Sequence, residues 1–292
     1  MGTVVVSTDV PQWRLAEGIT LGLWQYAHAD HIAYDYDEYF AHNSLFDFDE
    51  SVLARHFTRP GLLVDLGCGT GRLLVPFARR GIRGLAVDLS MPMLDVVGQK
   101  TREESLPIDR LRADLTQLDC LRDGVADYAI CMFSTLGMIR GRKNRLRVLR
   151  HARRILKPGG KFVLHVHNRW YNLFDPQGRV WLMQNMLGAV VRRNQEPGDK
   201  FFDYRGIPNM FLHVFTRREL KADLVAAGFR IVEFIALDTE RPPAGKRLDR
   251  GLCARLAPLP ARGPDCPFHT WRSFQARHVQ RPFVGCPTTR RA

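Results

Sequence analysis

Three glycines in five residues, Gly67-Cys68-Gly69-Thr70-Gly71, follow Asp65 at the end of the apolar run 62–66. Glycine has no Cβ, so a turn of this kind lays bare backbone against a ligand. Such a turn at the carboxyl edge of a sheet is built to hold a nucleotide-like group. The spacing is GxGxG and not the GxGxxG of dinucleotide-binding turns, which disfavours a nicotinamide-linked oxidoreductase. A second carboxylate, Asp88, closes the next apolar run, where it can accept both hydroxyls of a ribose or simply cap a helix. A third, Asp114, sits in Ala113-Asp114-Leu115 and reads either as a ligand contact or as a loop aspartate. His165 and His167 alternate onto one face of a strand, and His213 lies in a later strand. All three are candidate general bases, and Asn168 could hydrogen-bond an acceptor. No third ligand accompanies the histidine pair and the six cysteines form no C-x-x-C, so no metal site is expected.

Short apolar runs alternating with amphipathic ones must position these groups, a pattern that predicts a parallel α/β sheet. Strands are expected at 62–66, 84–88, 111–114, 126–133, 161–166, 210–215 and 229–237. Helices are expected at 72–80, 91–103, 143–156 and 216–227. Ser90 and Pro92 suit the start of the second helix, and Thr216 with Glu219 forms a capping box for the last, which Gly228 ends. Lys157-Pro158-Gly159-Gly160 reads as a turn after the 143–156 helix. Residues 10–57 read as helical and irregular, with the aromatic and acidic run AYDYDEYF at 33–40. Residues 168–208 lack periodicity and suggest an insertion or lid. The division is therefore a cover segment at 1–57, a central domain at 58–238 and a basic, structureless tail at 239–292.

The acid-plus-glycine turn, Asp88, Asp114, the run 126–133 and Arg154-Ile155-Leu156-Lys157-Pro158-Gly159-Gly160 together resemble the class I, Rossmann-like, S-adenosylmethionine-dependent methyltransferases. The resemblance covers roughly residues 57–238. It implies a seven-stranded, mostly parallel sheet with an antiparallel last strand, helices on both faces and S-adenosylmethionine as cofactor. It further implies that Gly67, Cys68, Gly69 and Gly71 contact the methionine and ribose portions, while Asp65 helps to hold the ammonium group. Asp88, beside Leu89, would take the ribose. Asp114 and Leu115 would flank the adenine, and Met132 would lie at the end of the strand beneath the transferring methyl. Tyr34, Tyr36 and Tyr39 could fold over the cofactor or simply pack on the sheet.

Composition bounds the partners. No apolar run is long enough to span a bilayer, so no membrane role is expected. Cysteines in apolar stretches suggest a reducing, cytoplasmic setting. The net charge is +13, but residues 239–292 hold 11 Lys/Arg against 3 Asp/Glu. A further 9 basic residues and no acidic ones fall in 140–157. That stretch is either a solvated helix face or a phosphate-binding face. The leading expectation is a small-molecule acceptor, O- or N-nucleophilic, in a pocket built from Trp170, Tyr171, Trp181, Phe201, Tyr204 and Met210. RNA, reached through 140–157 and the tail, is the alternative; a non-catalytic cofactor-binding partner protein is another.

Overall fold

The computed structural model describes residues 10–41, 44–191, 195–237 and 251–258. Four helices come first: α1 (Leu21–Ala27), α2 (Asp30–Tyr34), α3 (Tyr36–Tyr39) and α4 (Ser44–His56). Strand β1 (Leu62–Leu66) then enters the sheet, with its side chains alternating between the two faces. Val64 and Leu66 join the apolar core on one side, and Leu63 joins the core on the other.

Helix α5 (Leu74–Arg79), strand β2 (Arg83–Asp88), helix α6 (Met91–Glu103) and strand β3 (Ile108–Arg112) continue the alternation. In α6 the Ser90 hydroxyl accepts from the Met93 amide at 3.3 Å, as the sequence requires of an N-cap. Strand β4 (Ala126–Cys131), helix α7 (Arg142–Ile155) and strand β5 (Leu156–His167) follow. Helix α7 sends Val148, Leu149, Ala152 and Ile155 into the first core, while Leu74, Phe77, Leu94 and Val97 fill the second. Helices thus cover both faces. The Lys-Pro-Gly-Gly turn is a bulge inside β5: Ala126 pairs with Leu156, but Tyr128 pairs with Lys161, so residues 157–160 loop out.

Beyond β5 the order departs from expectation. Helix α8 (Pro176–Val191) and the hairpin of β6 (Asp199–Tyr204) and β7 (Ile207–His213) occupy much of the segment expected to be irregular. Apolar residues lie on several sides of α8, with Val180, Met183, Met186 and Leu187 exposed, and that erased any readable period. Arg205 and Gly206, at φ of +50° and +83°, make the two-residue loop that pins the hairpin.

Helix α9 (Arg217–Ala226) carries the full Thr216–Glu219 capping box. Strand β8 (Phe229–Leu237) follows it, and β9 (Gly251–Pro258) completes the sheet in the order β3-β2-β1-β4-β5-β9-β8. Strands β3, β2, β1, β4 and β5 pair in parallel, and β9 pairs antiparallel with both β5 and β8.

Two corrections result. The expected strand 210–215 leaves the main sheet for the separate hairpin, and 229–237 is not the antiparallel member. That place belongs to β9, inside the stretch expected to be structureless. The edge of β5 offers main-chain partners to any extended segment, so pairing does not depend on a recognisable side-chain pattern. The rest of the expected tail, residues 238–250 and 259–292, lies outside the described residues. Among the described residues no helix is long and apolar enough to cross a membrane.

Candidate active site

A cavity of about 410 Å³ opens at the carboxyl ends of β1, β2 and β4. Its floor is the glycine turn. Gly67, Gly69 and Gly71 have φ of +80°, +52° and +74°, values that L side chains rarely adopt. A Cβ on Gly67 would lie 2.2 Å from the Thr135 side chain, whereas one on Gly69 would meet nothing within 4 Å. Gly69 is thus the point where backbone stands open to the cavity. Asp65, Gly67, Cys68, Gly69, Asp88, Leu89, Asp114, Leu115 and Met132 all line it, and Gly71 stands behind them.

The three carboxylates differ in how they are held. Asp88 accepts from the Gly69 and Ser90 amides, both at 2.8 Å, so it shapes the loop while facing the cavity. Burial raises its pKa, and those amides partly oppose the rise. Asp65 is 3% exposed, and burial, followed by the nearby Asp88 charge, pushes its pKa up to about 8. A cationic ligand beside it would offset that cost. Asp114 accepts from the Thr116 amide at 2.8 Å, so it is a loop aspartate and a cavity residue at once. Floor and fit agree: a ligand with a positive centre and a diol suits these groups.

The opposite wall comes from elements far apart in the chain. Tyr26 of α1, Tyr36 of α3, and Phe202, Tyr204 and Met210 of the hairpin face the cavity. Burial raises the phenol pKa of Tyr26, Tyr36 and Tyr204, so the wall stays neutral. Arg72 also reaches the lining, but its guanidinium lies 4.1 Å over the Phe46 ring. Of the expected acceptor residues, Tyr204 and Met210 line the cavity, while Trp170, Tyr171, Trp181 and Phe201 do not. Of the expected cover tyrosines, Tyr36 lines it, and Tyr34 and Tyr39 are exposed. Asp37 latches this cover: it accepts from the Thr70 hydroxyl at 2.6 Å and pairs with Lys100 at 2.5 Å.

The histidines separate. His167 lines the cavity, and burial holds its pKa down at about 4. His165 sits deeper, its Nδ1 2.8 Å from Asp49 of α4, and neither it nor Asn168 reaches the lining. Above them Phe133 and Ser134, at φ of +50° and +67°, form a strained step at the end of β4. It is held by the Ser134 amide, which donates to the His165 carbonyl, and by the Ser134 hydroxyl, which accepts from the His167 amide.

His213 is elsewhere. Its ring nitrogens lie 2.8 Å from Asp199 and 2.7 Å from Glu219. Glu196, Asp199 and His213 bring ligand-capable atoms within 4.8 Å of one another. The fully buried Arg145 pairs with Glu196, however, and both histidine nitrogens are engaged, so the cluster is an ion network tying the hairpin to α7 and α9. The basic stretch 140–157 is similarly turned inward at several points. Arg142 pairs with Asp223, Lys157 with Asp127, and Arg154 with Asp123 and the Leu118 and Leu121 carbonyls.

Sequence reasoning missed Asp49, Asp37, Tyr26 and Phe202. Asp37 lay in the acidic–aromatic run already singled out, whereas nothing local marked the others.

Comparison with known proteins agrees with this geometry. Residues 63–160 match the model of a methyltransferase domain. The ubiquinone biosynthesis O-methyltransferase of Xanthomonas oryzae pv. oryzae is 31% identical over 107 residues, 37% of this chain and 43% of that protein. The chain spans about half the length of the curated relatives it matches. An S-adenosylmethionine-dependent methyltransferase from Methanosarcina mazei superposes with a TM-score of 0.58 at 18% identity, covering 71% of this chain and 97% of that one. The 1,6-didemethyltoxoflavin-N1-methyltransferase of Burkholderia thailandensis, solved with 1,6-didemethyltoxoflavin and S-adenosylhomocysteine, gives 0.56 at 19% identity, covering 86% and 93%. Residues 63–160 are thus similar to a methyltransferase domain, and the fold is that of S-adenosylmethionine-dependent methyltransferases.

Proposed function

We propose that the chain transfers the methyl group of S-adenosylmethionine to a small, uncharged and largely apolar acceptor bearing an oxygen or nitrogen nucleophile. The observation that carries this reading is the joining, in one cavity, of an acidic floor and a neutral aromatic wall. In this reading Asp65 receives the cofactor's ammonium group, Asp88 the ribose hydroxyls and Asp114 the adenine amine. Gly69 lets the backbone approach. The bound cofactor supplies a methyl on a sulfonium, ready for in-line displacement. What remains for the protein is to align the acceptor and exclude water. The cover segment does the latter: Tyr36 enters the cavity between Asp35, paired with Arg205, and Asp37, paired with Lys100. The ubiquinone-biosynthesis relative, named for transfer to oxygen, and the 1,6-didemethyltoxoflavin enzyme, named for transfer to nitrogen of a small acceptor, support the choice.

The test is transfer of radiolabelled methyl from S-adenosylmethionine into fractionated cell extract, with and without ribonuclease. Label in the small-molecule fraction is expected. Ribonuclease-sensitive label would replace this reading with an RNA acceptor, and no label in any fraction would make the chain a cofactor-binding partner protein.

A further inference from the structure

One buried cluster is left over by cofactor binding. Asp49, fully buried on α4, points one carboxylate oxygen at His165 Nδ1, 2.8 Å away. Its other oxygen, Oδ1, is buried without a hydrogen-bond partner, and so is Nδ1 of His167. Two orphaned polar atoms this close to a cavity are uncommon, since buried polar groups are nearly always satisfied. Phe133, on its strained backbone step, stands edge-on to both imidazoles with ring centres 6.2 Å away. The two imidazoles are 6.4 Å apart. Of this cluster, His167 and Phe133 line the cavity, on the side of it formed by β5 and the end of β4.

We propose that His167 accepts the O–H or N–H proton of an uncharged aromatic acceptor, and that the buried Asp49–His165 pair is the positioning element that holds this wall. The proposal rests on the methyl-transfer reading above. In the step, a lone pair of the acceptor atom forms the new bond to the methyl carbon. The carbon–sulfur bond breaks with its electron pair going to sulfur, and the acceptor's proton passes to the His167 ring. The positive charge lost at sulfur reappears on the imidazole, so the cavity's net charge does not change. Burial keeps His167 neutral beforehand, and a neutral imidazole carries one unprotonated nitrogen that can accept a proton. Asp49 fixes the His165 ring through its 2.8 Å contact, and that ring lies face-on to His167 with centres 6.4 Å apart.

The full chain labelled with 15N-histidine, saturated with S-adenosylhomocysteine, tests this with 4-methylphenol as the acceptor probe. The phenol is expected to shift the His167 ring-nitrogen resonance. H167Q should abolish that shift, and D49N should diminish it. The rise in melting temperature caused by S-adenosylhomocysteine should survive in both variants. If D49N does not fold, H165Q serves as the same arm, and the unmodified chain alone already decides the matter. A phenol that leaves His167 unmoved in the saturated complex overturns the proposal while sparing the methyl-transfer reading. A chain that fails to bind S-adenosylhomocysteine at all overturns both.

Discussion

The two ends of the cavity are built on opposite principles. The floor is local and charged: Asp65, the glycine turn and Asp88 fall within 24 consecutive residues, held by backbone amides. The wall is assembled and neutral: Tyr26 and Tyr36 come from the N-terminal helices, and Phe202, Tyr204 and Met210 from a hairpin more than 160 residues later. A ligand shared by a whole family can be held by one short motif. A ligand particular to one protein is held by side chains that only tertiary packing brings together.

The floor sits on the main sheet and the wall packs over it, so the largest expected effect is from breaking that sheet. A chain ended at residue 238 loses β9, and it should lose its cooperative melting transition together with any stabilisation by S-adenosylhomocysteine. A chain ended at 258 should keep both. Survival of the shorter form would mean that β5 and β8 do not need the strand between them.

Within the floor, Asp88→Ala should weaken S-adenosylhomocysteine binding by about 1–3 kcal/mol, through lost charge-assisted hydrogen bonds and a loosened Gly69 amide. Calorimetry reads this directly. Unchanged affinity would detach the loop-shaping role of Asp88 from any ligand contact.

Asp65 adds a pH signature. With its pKa up at about 8 in the empty cavity, it is protonated at neutral pH and must lose that proton to pair with a cation. Affinity for S-adenosylmethionine should therefore climb as pH rises, by up to about tenfold per unit, and level off above about pH 8. Asp65→Asn should flatten the slope. A flat profile in the unmodified chain would place the cofactor's positive groups away from Asp65.

The smallest effect sharpens the contrast. Phe202→Ala, in the wall, should leave S-adenosylhomocysteine affinity within about twofold while lowering thermal stability, as loss of a partly buried aromatic does. A large loss of affinity would show that the two ends are not separable.

This difference also explains what could be read from the residues. From β1 to β5 the strands other than β3 are largely buried apolar stretches and α6 carries the Ser90 cap, while farther on Thr216 marks the start of α9. The floor was legible for the same reason, since its residues sit at strand ends. The wall was not. Tyr204 and Met210 could be named as aromatic or apolar candidates, but Trp170 and Trp181, equally good by type, face elsewhere. Asp49 gave no signal, because its partner His165 is 116 positions away. Helix α8 hid because its apolar residues lie on several sides, and β9 hid behind Arg and Pro, because main-chain pairing leaves no mark on side-chain order.

The place of β9 carries a consequence for synthesis. The strand that separates β5 from β8 is the last described segment of the chain. While the protein is being made, the ribosome delivers β5 about ninety residues before its outer neighbour, at a rate of roughly 5–20 residues per second. For those seconds β5, with its buried-facing Val163, Leu164 and Val166, presents a bare hydrogen-bonding edge to the cytosol of whatever cell makes it. A hairpin of β8 and β9, formed first and docked as a unit, would close that edge in one event, and any truncated product of translation would leave it open.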